Sequence, residues 1–151
     1  MVYIGIDPGA KGGIAVVTKK SATTAPYSDG ELRRVLGEIH SCRMEAICCL
    51  EKVGARPGQG VVSMFNFGKS YGYIKGVLEA YGIPYQEISP QRWKKEFGLN
   101  SEKTRSVEVC QRMFPNVGLL ATPRCKKLHD GMAEALLMAE YARRCLRKEA
   151  D

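Results

Sequence analysis

From Ala46 to Leu50 the chain reads Ala-Ile-Cys-Cys-Leu, an unbroken apolar run closed by Glu51. A short continuous run of this kind suits a strand buried on both faces of a sheet. The segments around it supply the rest of a layered arrangement. Val2-Tyr3-Ile4-Gly5-Ile6 is a β-rich run ending in the turn signal Asp7-Pro8-Gly9. Gly13-Ile14-Ala15-Val16-Val17-Thr18 is a second such run, so the two are read as a hairpin. A weaker third strand is expected from Ala22 to Tyr27. From Asp29 onward, Leu32, Val35, Leu36, Ile39 and Met44 mark an amphipathic helix, capped by Ser28 or Asp29. A Gly- and Pro-bearing loop, Gly54 to Gly60, follows Glu51. Helical character resumes from Ser63 to Tyr81, with Gly68, Gly72 and Gly76 at steps of four. Three such glycines weaken a helix by about 1 kcal/mol each. The stripe therefore calls for compensation, either by packing on the sheet or by self-association. A strand from Ile83 to Ile88 leads into Ser89-Pro90, a helix start with Pro at its first position. Further helices are expected from Ser101 to Met113 and from Leu128 to Arg147. The fold class is α/β, with a single mixed β-sheet of about five strands flanked by α-helices. The 151 residues fit one domain, 1–151, with no repeat, low-complexity tract or linker.

Lys and Arg number 23 against 16 Asp and Glu, a net charge of +7 that is compatible with a polyanionic partner. No apolar run approaches the roughly 20 residues that span a bilayer, so no membrane partner is expected. The chain opens on a strand pattern, without the basic and apolar regions of a secretory leader. Its six cysteines form no Cys-x-x-Cys pair and show no ligand spacing with His, which argues against zinc. The expected setting is the cytoplasm or another reducing intracellular compartment, with most thiols buried as small hydrophobes.

Four acids stand where chemistry would want them. Asp7 ends the first strand and Glu51 ends the buried run. If the two strands are parallel neighbours, both carboxylates emerge at one sheet edge, the edge where ligands bind in open sheets. Asp130 and Glu134 are four residues apart on the last helix and share a face with Ala133, Leu137, Met138 and Tyr141. Burying an unpaired carboxylate costs several kcal/mol, a penalty that divalent cations would remove. Mg²⁺ prefers oxygen ligands, and two such ions roughly 3.5–4 Å apart hydrolyse phosphodiesters without a nucleophilic side chain. His129, directly before Asp130, is an auxiliary candidate for proton transfer or for holding a phosphate. His40 is read as surface or core filler.

Tyr3-Ile4-Gly5-Ile6-Asp7-Pro8-Gly9, continued by Gly12-Gly13-Ile14-Ala15, resembles the opening signature of the RuvC-type Holliday-junction resolvases. Leu50-Glu51-Lys52 resembles their second acidic position, and His129-Asp130-Gly131-Met132-Ala133-Glu134-Ala135-Leu136 their terminal helix. Ser89-Pro90-Gln91-Arg92-Trp93-Lys94 is similar to the segment after a late strand in phage-type and organellar relatives. The resemblance implies an RNase H-like fold, a homodimer and symmetric nicking of four-way DNA junctions. It also implies Mg²⁺, or Mn²⁺ in its place, on Asp7, Glu51, Asp130 and Glu134, with two ions in each active site. Two departures stand out: the last acid is Glu134 where the family more often has Asp, and it follows Asp130 by four residues instead of the bacterial three. Which of the two binds metal directly stays open.

Lys11, Arg56, Gln59, Lys69, Arg92, Lys94, Lys103, Lys126 and Lys127 are candidates for contacting DNA, with Lys95 and Arg124 nearby. Phe65, Phe67, Tyr71 and Tyr73 accompany them; at least half are expected in the core, and an exposed one would stack on bases. Trp93 is read as packing, with Arg92 and Lys94 toward the phosphates. Arg143, Arg144, Arg147 and Lys148 are read as structural, complementing the helix dipole. Three other readings compete. One is an RNase H-like nuclease for RNA–DNA hybrids or another branched DNA. A second is an actin-like nucleotide-binding protein, suggested by Gly5 to Lys11 but lacking a second phosphate loop. The third is a junction-binding protein without activity.

Overall fold

In the computed structural model, which describes residues 1–100 and 103–146, the first β-rich run forms strand β1 (Val2–Asp7) at the centre of a five-stranded sheet. On one side β2 (Gly13–Val17) pairs antiparallel with β1, and β3 (Ala22–Pro26) pairs antiparallel with β2. On the other side β4 (Ala46–Glu51) runs parallel to β1, and β5 (Tyr85–Ile88) runs parallel to β4. The order β3-β2-β1-β4-β5 is the mixed sheet that the pattern of runs called for. Among the described residues five α-helices flank it: α1 (Asp29–Ser41), α2 (Val61–Ala80), α3 (Pro90–Glu96), α4 (Lys103–Met113) and α5 (Asp130–Tyr141). A π-helical turn, Ala142–Leu146, continues α5. None of these helices is long and apolar enough to cross a membrane.

Side chains alternate across a strand, and both faces of β1 and β4 are covered. Val2, Ile4 and Ile6 of β1, with Cys48 and Leu50 of β4, pack against Leu32, Leu36 and Ile39 of α1 and Ile74 and Leu78 of α2. Tyr3 and Cys49 face the opposite way, into a core built on α5. That helix is buried along its length from Gly131 to Tyr141. It lies so close to β1 that a Cβ on Gly5 would stand 2.0 Å from the Ala135 carbonyl oxygen and 2.4 Å from the Ala139 nitrogen. The backbone of Gly131 likewise abuts the β1–β2 turn, where a Cβ on Gly131 would lie 2.2 Å from the Lys11 carbonyl oxygen. Glycine at these positions is what lets α5 dock.

The caps follow the sequence. Ser28, of the two candidates, accepts from the Glu31 N–H, and Ser89 accepts from the Arg92 N–H ahead of Pro90. Several boundaries differ. Met44 falls outside α1 and is exposed, because the helix ends at Ser41 and Arg43 turns the chain with a φ of 51°. Helix α2 begins at Val61, two residues before the expected start, and β5 begins at Tyr85 instead of Ile83. Ser101, the expected start of the fourth helix, and the cations Arg147 and Lys148 lie outside the described residues. Three thiols rather than most are buried, those of Cys48, Cys49 and Cys110.

The glycine stripe of α2 does not pack on the sheet. Ile74 and Leu78 are the residues this helix buries, and they project from the side opposite Gly72 and Gly76. A Cβ on Gly68, Gly72 or Gly76 would meet nothing within 4 Å. At the far end of α5, Arg143 and Arg144 each donate to Glu140 at 2.7 Å, the structural role expected of them. Burial raises the Glu140 carboxyl, and the two guanidinium bonds outweigh it, leaving it below its ordinary value.

Candidate active site

The parallel register of β1 and β4 sets Ile6 beside Leu50. The next residue on each strand is the acid, so Asp7 and Glu51 leave the sheet side by side at its carboxyl edge. By strand alternation both belong to the face that α5 covers, the face of Tyr3, Gly5 and Cys49. The docking of Gly131 against the β1–β2 turn brings the first turn of α5 to the same edge. Asp130 lies in that turn and Glu134 one turn further on the same helix face. A cavity of about 350 Å³ results, with Asp7, Lys11, Lys127, His129, Asp130 and Glu134 in its wall. Glu51 opens onto an adjoining cleft of about 510 Å³ together with Arg56, Gln59, Phe67 and Gln91. Glu134, in the wall of the first space, lies near enough for its charge to be felt at Glu51.

Each acid is held differently. Burial pushes the Glu51 carboxyl above its ordinary value; a hydrogen bond from Trp93 pulls it back, and the Glu134 charge pushes it up again. That bond runs from the indole Nε1 to Glu51 Oε2 at 2.9 Å. Glu134 is 8% exposed. Its Oε1 lies 3.4 Å from Lys94 Nζ and also accepts from Ser106 Oγ at 3.4 Å. His129 caps α5, with Nδ1 accepting from the Met132 N–H at 3.1 Å. In the neutral ring the proton therefore sits on Nε2, which can act as a donor. The acids are not drawn round a single point: among the described residues no three His, Cys, Asp or Glu side chains form a ready-made metal cluster.

The cations divide between rim and interior. Lys11 and Lys127 stand at the mouth of the acid cavity with Lys126 exposed on the same loop, and Arg56 and Gln59 line the adjoining cleft. Lys69 is exposed on α2, away from both spaces. Arg92 hydrogen-bonds Tyr141 of α5. The Lys103 side chain lies outside the described residues. Lys94, expected to face phosphates, instead turns inward to Glu134 with only 19% of its side chain exposed. The cause is Trp93: its burial fixes the rotation of the short helix α3 and so aims the next residue at α5. Of the aromatics, Tyr71 and Tyr73 pack against the core, Phe67 lines the cleft, and Phe65 is 71% exposed. Residues in direct contact with the acids, Trp93 and Ser106, were not expected from the sequence. The available signal was the indole N–H, which needs an acceptor whenever the ring is buried.

A mixed five-stranded sheet, with acids ending its two central parallel strands and a helix laid across one face, is the RNase H-like fold. The likeness extends to particular proteins. The crossover junction endodeoxyribonuclease RuvC from two strains of Thermus thermophilus is 27% identical over 163 aligned positions, covering 95% of this chain and 96% of RuvC. The solved structure of T. thermophilus RuvC superimposes with a TM-score of 0.57 at 23% identity, covering 95% of this chain and 96% of that one. T. thermophilus RuvC in complex with a Holliday junction substrate gives a TM-score of 0.57 at 26% identity, covering 95% of each chain. No family model matches. The chain is thus RuvC-like over nearly its whole length, as its opening, middle and terminal motifs suggested.

Proposed function

We propose that this chain is a structure-selective endodeoxyribonuclease that resolves four-way DNA junctions as a homodimer. The observation that supports the proposal is that Asp7, Asp130 and Glu134 share one cavity wall at the carboxyl edge of the sheet, with Glu51 ending the neighbouring parallel strand on the same face. The donor set fits Mg²⁺ or Mn²⁺: it is all oxygen and carries more negative charge than Lys94 alone offsets. Asp7 and Glu51, with Asp130, Glu134 or both, are the residues to hold such ions. Two ions bound there would supply activation of the attacking water and stabilisation of the leaving oxygen.

The chain's own residues do the rest. Lys11, Lys126, Lys127 and Arg56 ring the acids and draw in the phosphate backbone, overcoming the repulsion between carboxylates and DNA. His129, its Nδ1 tied to the cap, presents Nε2–H as a hydrogen-bond donor for a phosphate oxygen. Lys94 offsets part of the charge that Glu134 sets against Glu51. Cleavage of a panel of four-way, Y, flap and RNA–DNA hybrid substrates, with Mg²⁺ and with EDTA, tests this reading. The expected result is Mg²⁺-dependent cutting of the four-way junction in preference to the others. Preference for the hybrid would replace the resolvase reading with that of another RNase H-like nuclease.

Two coordinated nicks need two active sites, and α2 offers the face to join them. Val61, Val62 and Phe65 are 85%, 74% and 71% exposed, and Gly68, Gly72 and Gly76 continue the same surface with nothing against them. Small residues let two such helices approach closely and so make up for the helix propensity the glycines forfeit. Gly72→Glu is expected to fold normally and to sediment as a monomer where the wild type sediments as a dimer. A monomeric wild type at micromolar concentration, or a dimeric variant, would rule out this interface.

A further inference from the structure

Trp93 is the only tryptophan of the chain, and its ring is fully buried. It belongs to the same core cluster as Cys49 and Ile88 of the sheet, against which Phe97 just beyond α3 also packs. An indole in such a position is immobile, and its one polar atom must find a fixed acceptor. The acceptor is Glu51 Oε2 at 2.9 Å. The bond differs in kind from the one that holds Glu134. Lys94 brings a positive charge to Glu134 and so competes with any cation. The indole is neutral: it orients the Glu51 carboxylate without cancelling its charge, which Lys94 and Arg56 meet only from a distance. The bond also takes one lone pair of Oε2, so the carboxylate is held in orientation from that oxygen.

We infer that Trp93 is a positioning residue for Glu51 that makes this carboxylate a one-oxygen ligand and thereby favours Mg²⁺ or Mn²⁺ over Ca²⁺. The inference rests on the reading of the four acids as metal ligands. Its chemical basis is the difference between the ions. Mg²⁺ takes six oxygens in a tight octahedron, usually with single carboxylate oxygens and water. Ca²⁺ takes six to eight at longer distance and readily accepts both oxygens of one carboxylate. To present both oxygens to one ion the Glu51 carboxylate would have to pivot, and the bond to a ring that the core holds still resists that pivot. Partners of metal-binding side chains contribute roughly 10- to 100-fold to metal affinity, so the tie is worth measuring.

The test uses the full chain without DNA and Mn²⁺ as the probe, with free Mn²⁺ followed by electron paramagnetic resonance. Trp93→Phe keeps a ring in the core and removes only the N–H. It is expected to weaken Mn²⁺ binding roughly tenfold and to let Ca²⁺ displace Mn²⁺ at a lower ratio than in the wild type. A purely structural role would alter the melting temperature without changing the Ca²⁺ to Mn²⁺ ratio. The single indole N–H resonance of the wild type provides a second readout that needs no substitution at Trp93. It should move when Mg²⁺ is added, and Glu51→Gln should both shift it and abolish the Mg²⁺ response. An indole resonance indifferent to Glu51→Gln overturns the inference. So does a folded Trp93→Phe variant with wild-type Mn²⁺ affinity and ion preference. Failure of the wild-type chain to bind Mn²⁺ at all would instead overturn the acid-site reading beneath it.

Discussion

Asp7→Asn is expected to lower four-way junction cleavage roughly 10³-fold or more while leaving junction affinity within about threefold of wild type. The substitution keeps the size and hydrogen-bonding reach of the side chain and removes its charge. Asp7 is partly exposed at the end of β1, in the wall of a cavity that it shares with Asp130 and Glu134. The isosteric change at a partly exposed position is expected to leave the fold intact, with melting within a few degrees of wild type. Lys11, Lys126, Lys127 and Arg56, which carry the proposed attraction to phosphates, are untouched. Binding is read by gel mobility in EDTA and cleavage by appearance of nicked arms in Mg²⁺. Cleavage within tenfold of wild type would remove Asp7 from the chemistry. Loss of binding together with cleavage would mean that the carboxylate supports the DNA surface and not the reaction.

The acids were legible in the sequence because their placement follows from periodicity alone. A strand that alternates and ends on Asp7, and a buried run that ends on Glu51, put two carboxylates at one edge once the strands are parallel. A spacing of four on a helix puts Asp130 and Glu134 on one face whatever the helix packs against. The contacts that hold these acids were not legible for the opposite reason. Whether Lys94 faces DNA or Glu134 depends on how a seven-residue helix is rotated about its axis, and that rotation is set by where Trp93 finds space. The end of α1 shows the same limit: Met44 continues the apolar spacing, yet the chain turns at Arg43 before reaching it. The stripe of Gly68, Gly72 and Gly76 announced a close approach without saying to what. Its direction became clear only when Ile74 and Leu78 were seen to fill the core side of α2.

One close approach that the sequence left unmarked is at Gly5, and Gly5→Ala is expected to be among the most destabilising single-methyl additions to this chain. The new Cβ would fall 2.0 Å from the Ala135 carbonyl oxygen, 2.4 Å from the Ala139 nitrogen and 3.0 Å from the Met138 carbonyl carbon. All three are backbone atoms of one helix, so no side chain can swing away to make room. Strand β1 cannot retreat either, being paired on both sides and packed against α1 and α2 beneath. Relief must come from lifting α5, which is buried from Gly131 to Tyr141 and is pinned again where Gly131 meets the β1–β2 turn. Overpacking of this rigid kind falls at or beyond the upper end of the usual range, about 3 kcal/mol. For a chain of this size that corresponds to a fall in melting temperature of roughly 10 °C. Asp130 and Glu134 ride on α5, so cleavage should also drop at temperatures where the variant is still folded. A melting temperature within about 2 °C of wild type would show that α5 does not press on β1, and the placement of both helix-borne acids beside Asp7 would have to be abandoned with it.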